Sequence, residues 1–259
     1  MTRFGYCPRH LPPLVWNNSI HSYNHLNDLY HRMEDHGDFS IDMVTLSDLE
    51  VRVVVFTLQD NQLQVLLQPG DGQNGWELPG CRLLGGLGLE TSAAQCIEGL
   101  TGLKEVFLEQ LYTFGDPGRH PANQVVSVVY FALLAEDTLS QERIEKSQAA
   151  WQPVRNLPAL VWDHADILAY ALRRLRYKLE YSAVGFELLP ETFTLSELQH
   201  TYELILGEKL DKRNFRRRIL EAGIIEPTNK RRTGEGRPAL LYRYRADAVA
   251  EVKARRLFP

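Results

Sequence analysis

With 259 residues, 44% hydrophobic and 24% charged side chains and a net charge of −4, the chain has the make-up of a globular protein long enough for two domains. No run of about 18 apolar residues is present, which excludes a membrane-spanning helix, and residues 1–13 lack the apolar stretch of a secretory signal. Three cysteines, Cys7, Cys81 and Cys96, are an odd number without metal-site spacing, which argues against a disulfide framework and for a reduced, cytoplasmic setting.

Residues 1–45 read as a polar extension carrying His10, His21, His25, His31 and His36. His21 and His25 would share one helical face, but no cysteine or acidic motif completes a metal site. The segment is expected to pack on the body or on a partner subunit. From Val51 the pattern changes. Val51, Val53 and Val55 alternate with Arg52, Val54 and Phe56, Asp60-Asn61 offers a turn, and Leu63, Val65 and Leu67 alternate again, which predicts a β-hairpin. A loop leads to Trp76-Glu77-Leu78-Pro79-Gly80, and a helix is expected over about Thr91 to Leu100 with Ala94, Ile97 and Leu100 inward.

The stretch from Pro79-Gly80-Cys81 to Gly102-Leu103 resembles the signature box of the Nudix hydrolases, G-x5-E-x7-R-E-U-x-E-E-x-G-U, with U a bulky aliphatic residue. Counting back from Gly102-Leu103 puts Cys81 at the glycine, Leu87 at the first glutamate, Gln95 and Cys96 at the Arg-Glu pair, and Gly99 and Leu100 at the last two glutamates. The resemblance implies glutamates that hold divalent ions, and here those positions are lost. A hard cation needs oxygen ligands, which thiol, glycine and leucine do not supply. A register shift of one residue recovers only Glu98. The competing reading, a hydrolase with an atypical metal site, would have to use Glu90, Glu98 and Glu105, whose spacings of eight and seven cannot gather them on one ion.

Beyond the box, Glu109 to Pro117, Gly118-Arg119-His120-Pro121 and Val125 to Leu133 run as strand, polar loop and strand. Together with Trp151-Gln152-Pro153-Val154 and Leu157 to Leu160, this order resembles the ADP-ribose-type branch of the same superfamily. An amphipathic helix follows, with Asp163 as its cap and Leu168, Leu172, Leu175 and Leu179 on one stripe. The Nudix-like domain should therefore span about 46–180. For an anionic diphosphate Arg119 is the candidate contact, with Trp76 or Phe114 as stacking partners. Gln68 stands where the family is expected to carry arginine, and the loop from Gly118 to Asn123 is poorer in arginine and aspartate than in relatives.

From Glu191 onward the sequence holds 15 basic against 10 acidic residues, whereas the part before it holds 14 against 23. A basic tail on an acidic body suggests a nucleic-acid-binding module. Thr194-Leu195-Ser196-Glu197 is a capping box that opens a helix with Leu198, Tyr202, Ile205 and Leu206 inward, ended by Gly207. Asp211 can cap a second helix with Phe215 and Ile219 on the core side and Gly223 at its end. Ile224-Ile225-Glu226 and Ala239 to Arg245 read as two strands, and Thr228 to Pro238 as the loop between them. The whole is a winged helix-turn-helix over 181–259. The expected DNA contacts are Thr194, Ser196, Lys212, Arg213, Asn214, Arg216, Arg217 and Arg218 from the helices, with Lys230, Arg231, Arg232 and Arg237 from the wing.

A degenerate Nudix domain followed by Phe193 to Gln199, Asn214 to Arg218 and Gly236-Arg237-Pro238-Ala239-Leu240-Leu241-Tyr242 resembles the NrtR family, Nudix-related transcriptional regulators of NAD metabolism in bacteria. That resemblance implies an α+β architecture, an α/β/α sandwich with a mixed sheet followed by a winged helix. It also implies a homodimeric repressor of NAD or sugar metabolism genes that binds a palindromic double-stranded operator and is released by ADP-ribose or a related nucleotide. It implies no cofactor, no catalysis, no membrane, and a bacterial cytoplasmic location, at the nucleoid when bound to DNA.

Overall fold

The computed structural model describes residues 48–248 except 71–74, 84–85, 121–124, 181, 234–237 and 246. The expected histidine-bearing extension and Arg237 lie outside the described residues. These described residues fall in one compact unit.

The β-branched run folds as β1 (Asp48–Gln59), which turns back as β2 (Gln62–Pro69). Asp60 and Asn61 take left-handed φ values of 50° and 60°, the combination a two-residue hairpin turn requires and short polar side chains tolerate. β3 (Trp76–Glu77) pairs with β2, and β4 (Gly80–Arg82) pairs with β1. After helix α1 (Leu89–Thr101) come β5 (Phe107–Phe114) and β6 (Val125–Leu134), which are antiparallel to each other. β6 runs parallel to β1 in register from Asp48↔Val125 to Thr57↔Leu134. A short α2 (Gln141–Lys146) and β7 (Ala150–Pro153), which pairs with β2, lead to α3 (His164–Leu179).

β1 lies inside the sheet and is covered on both faces, so Val51, Val53, Val54, Val55 and Phe56 expose no surface. Val54, Phe56, Val65, Leu67, Val129 and Phe131 meet Ile167, Leu168, Ala171, Leu175 and Leu179 of α3. Val51, Val53, Val55, Leu66, Val128 and Tyr130 meet Ala93 and Ile97 of α1. This is the expected sandwich. Helix α1 begins two residues earlier than the apolar spacing suggested. Its buried side is Ser92, Ala93, Ile97 and Thr101, with Ala94 and Leu100 half-buried, because the i, i+4 row from Ala93 is the one aimed at the sheet.

In the C-terminal part the helices form at their caps. The Thr194 hydroxyl accepts from the Glu197 amide at 3.1 Å, and the Glu197 carboxylate accepts from the Thr194 amide at 2.8 Å, opening α4 (Leu195–Leu206). Gly207, at φ 82°, ends α4 in a conformation that side chains avoid. The Asp211 carboxylate accepts from the Asn214 amide at 2.7 Å and caps α5 (Lys212–Glu221). β8 (Ile225–Arg232) and β9 (Ala239–Tyr244) form the wing. The loop expected from Thr228 is instead strand as far as Arg232. The ladder is irregular between Pro227 and Arg231 and then resumes at Arg231↔Leu240 and Arg232↔Ala239. Backbone bonds of 2.9 and 2.7 Å between Phe193 and Tyr242 tie the segment before α4 to β9.

The boundary expected after residue 180 follows the end of α3 at Leu179, yet the core does not stop there. Leu175 and Leu179 belong to one apolar cluster with Phe186, Leu198, Tyr202, Phe215 and Ile219. Arg176 Nε donates to the Ile205 carbonyl of α4 at 2.9 Å, and His200 pairs with Asn61 of the β1–β2 turn. Truncation of the fully buried Leu179 to alanine should cost about 2–5 kcal/mol. Urea unfolding followed by far-UV circular dichroism and by tryptophan fluorescence should show both transitions moving together, since the shared core couples the two parts.

Candidate functional site

On the sandwich, charged side chains are buried as one continuous chain. Asp163 accepts both Nε and Nη2 of Arg119, at 2.8 and 3.0 Å. Arg119 Nη1 donates to the Val125 carbonyl at 3.1 Å and to the Ser127 hydroxyl at 2.8 Å, and that hydroxyl donates to Glu50. Glu50 accepts Arg52 Nη2 at 2.9 Å. Arg52 Nη1 donates to the Leu78 carbonyl at 2.9 Å and lies 3.2 Å from Glu77, which accepts Gln68 Nε2 at 2.7 Å. Burial alone would raise the Glu50 carboxyl, but Arg52 and Ser127 outweigh it and hold it below the usual carboxylate range. Burial would likewise lower Arg52, and Glu50 with Glu77 reverses the shift.

The strand pairing puts Arg52 opposite Gly80, one residue before the box glycine position. A Cβ on Gly80 would fall 2.4 Å from Arg52 Cδ and 2.6 Å from the Val51 carbonyl oxygen, so only glycine lets the guanidinium pass over β4. Cys96, at the position of a box glutamate, is pushed up to about 12, first by burial and next by Cys81. Without a bound ion such a thiol stays protonated at neutral pH. Glu98 is on the half-exposed side of α1, 3.9 Å from Lys104, and Glu90 is exposed. Among the described residues no group of three His, Cys, Asp or Glu side chains could hold a metal ion.

Arg119, expected to meet a diphosphate, thus has four internal hydrogen bonds and organises the site from within. Asp163 stands at the start of α3 as expected, but it makes no side-chain cap bond, because its carboxylate is turned to Arg119. Trp76 sits half-buried in β3 against the core. Phe114, at the end of β5, packs edge-on to Tyr112 and Tyr170 at 5.2 and 5.9 Å. Sequence reading passed over Trp162, which takes φ 50°, packs on His120 at 4.2 Å and turns an edge to His164 at 5.4 Å. His164 Nδ1 accepts the Leu78 amide at 3.1 Å, and among the described residues its Nε2 and the Trp162 Nε1 are buried without a partner.

On the winged helix, Lys212, Arg213, Asn214 and Arg217 are exposed on α5, and Lys230 and Arg231 on β8. Among the described residues the side chains of Lys212, Arg213, Arg218 and Lys230 make no hydrogen bond or ion pair; Arg218 is half-buried. Arg216 Nη2 donates to the Ser196 hydroxyl at 2.9 Å and Arg217 Nη2 to Asn214 at 2.9 Å, with Glu221 near its Nη1. Arg231 donates to the Pro238 carbonyl at 3.3 Å, and Arg232 pairs with Glu197, so the wing is hung on the first turn of α4. Thr194 is buried, with its hydroxyl engaged in the cap. Its part is to hold α4 in place. A clamp with no sequence signature closes the turn between the helices: Glu203 accepts Gln199 at 3.0 Å, Lys209 at 2.8 Å and the Leu210 amide at 3.0 Å. Lys209 first and the Leu210 amide next hold the Glu203 carboxyl at about 2.

A Nudix-type sandwich with an emptied box, joined through a shared core to a winged helix with a cationic exposed face, defines the class. The family model for the NrtR DNA-binding winged helix domain matches residues 185–244. Over 203 residues, 76% of this chain and 81% of the relative, the sequence is 34% identical to the ADPR responsive transcriptional repressor NtrR of Acinetobacter baylyi. The crystal structure of Shewanella oneidensis NrtR complexed with a 27mer DNA matches with a TM-score of 0.71 and 34% identity, covering 80% of this chain and 96% of that one. A MutT/nudix family protein from Enterococcus faecalis, 20% identical with a TM-score of 0.62 over 89% of this chain and 95% of its own, shares the fold. The chain belongs to the NrtR family.

The buried imidazole generates a pH dependence. Burial, with Arg52 next, lowers His164 to about 4 from an ordinary 6.5. Between those values the unfolded chain binds the extra proton, so stability is complete above about 6.5 and is lost as pH falls toward 4, by up to about 3 kcal/mol. Urea midpoints measured at pH 7 and pH 5 should differ more in the wild type than in His164→Gln.

Proposed function

We propose that this chain is a DNA-binding transcriptional repressor whose catalytically silent Nudix domain senses ADP-ribose or a related nucleotide. The observation that carries the reading is the placement of Lys212 and Arg213, exposed and uncompensated at the N-terminus of α5, the second helix of a helix-turn-helix. The end of such a helix is what enters a major groove, and two unpaired cations there suit phosphates or base edges. Lys230 and Arg231 on the wing reach the flanking backbone. Arg216, Ser196 and Arg232 hold these elements in register, and a DNA contact from any of them would come on top of that role. The 27mer complex of the Shewanella protein and the name of the Acinetobacter repressor support the same assignment.

Two copies of the chain would read a palindromic site, each inserting one α5, and the regulated genes would belong to NAD or sugar metabolism. Trp76 and Phe114 are proposed as the aromatic surfaces for the effector, with Arg119 as the group that positions the pocket wall. Against hydrolysis stand Cys96, Gly99 and Leu100 at box positions where carboxylates would be needed.

Binding to a duplex from the chain's own upstream region, followed by fluorescence anisotropy, should weaken steeply with salt. Lys212→Ala with Arg213→Ala should lower affinity and reduce the log–log salt slope by about 2 if both meet phosphates. Unchanged affinity and slope would remove α5 as the reading element. ADP-ribose should shift the operator complex toward free DNA. Its hydrolysis with Mg2+ or Mn2+ should stay at background, and metal-dependent turnover would restore the enzyme reading.

A further inference from the structure

The family fold implies a divalent cation at the box, and the residues present do not fit one. A guanidinium already stands among the acids. Arg52 is about 10% exposed, bonded to Glu50 on one side and paired with Glu77 on the other. Its stem lies over Gly80, the residue before the one at the box glycine position. Its charge is felt at both Cys81 and Cys96, the latter at a box glutamate position. The remaining acceptors are taken: the Ser127 hydroxyl and Gln68 Nε2 cover the outer oxygens of Glu50 and Glu77. A second, divalent cation in this space would meet a fixed positive charge and acceptors already spent.

We propose that Arg52 is a built-in cation that replaces the divalent metal of the Nudix box, leaving the domain metal-free by construction and its binding of an anionic ligand independent of Mg2+. Glycine at position 80 belongs to the same device, since any side chain there would push the guanidinium out. Two carboxylates would remain if the cation were removed without loss of volume, and one or two carboxylates with retained waters are what Mg2+ and Mn2+ use. The latent site therefore consists of Glu50 and Glu77, on β1 and β3.

The test is Mn2+ binding to the full chain, read as loss of the free-ion signal in electron paramagnetic resonance, with far-UV circular dichroism as the check on folding. The wild type and Arg52→Lys, which keeps the charge, should bind no Mn2+. Arg52→Met should bind one ion per chain, and adding Glu77→Gln should weaken that binding by about tenfold or more. If Arg52→Met folds only when Mn2+ is supplied, the exchange of one cation for another is shown directly. The proposal is overturned if the wild type binds Mn2+ in a manner lost in Glu50→Gln, or if folded Arg52→Met binds none. It also falls if Arg52→Met stays unfolded with Mn2+ while Arg52→Lys folds, since the residue is then a structural counter-ion only. A second arm rests on the proposed effector: ADP-ribose should bind the wild type equally in EDTA and in Mn2+. Failure to bind in either buffer would count against the sensor reading and leave the ion titration intact.

Discussion

Burying ionised groups is tolerable only when each is paired, and that constraint organises the sandwich domain. Asp163, Arg119, Ser127, Glu50, Arg52, Glu77 and Gln68 form one unbroken polar chain in which nearly every donor faces an acceptor. Removing one member leaves its neighbour charged and desolvated, which costs more than the pair contributes when intact. The chain fastens the segment around Arg119 to the head of α3, β6 to β1, and β1 to β3.

Helix α3 relates the two halves of the molecule. At its head Asp163 and His164 belong to the polar region of the sandwich, while near its tail Arg176 bonds the Ile205 carbonyl of α4 and Leu179 joins the winged-helix core. Sixteen helical residues span about 24 Å, so a rigid element with a foot in each part separates the polar chain from the winged helix. The apolar cluster runs on from Leu175 to Tyr202 and Phe215, so the winged helix shares its core with the domain it is attached to.

The winged helix itself divides its basic residues by task. Lys212, Arg213 and Lys230 are left to solvent, whereas Arg216, Arg232, Arg243 and Arg245 are bonded to Ser196, Glu197, Glu226 and Asp247. Surface pairs of this kind contribute little stability individually but fix the geometry of a small domain with a short hairpin. A count of basic residues along the chain treats both groups alike, and only their neighbours separate them.

Much of the architecture was legible because it rests on local chemistry. The valine-rich run, the Asp60-Asn61 turn, the Thr194/Glu197 capping box and the Asp211 cap use interactions between residues a few positions apart, and each formed where it was read. The emptied box was equally plain, since Cys96, Gly99 and Leu100 are not carboxylates in any fold. What tertiary structure decided was partnership over long sequence distance. Asp163 has the sequence position of a cap and Arg119 that of a phosphate ligand, yet 44 residues apart they satisfy each other. Arg52 stands two residues from Glu50 in an otherwise apolar strand, and its meaning depends also on Glu77 and on a glycine 28 positions away in β4. A sequence states which groups are charged, while only the folded chain states which of them have lost water and must therefore find one another.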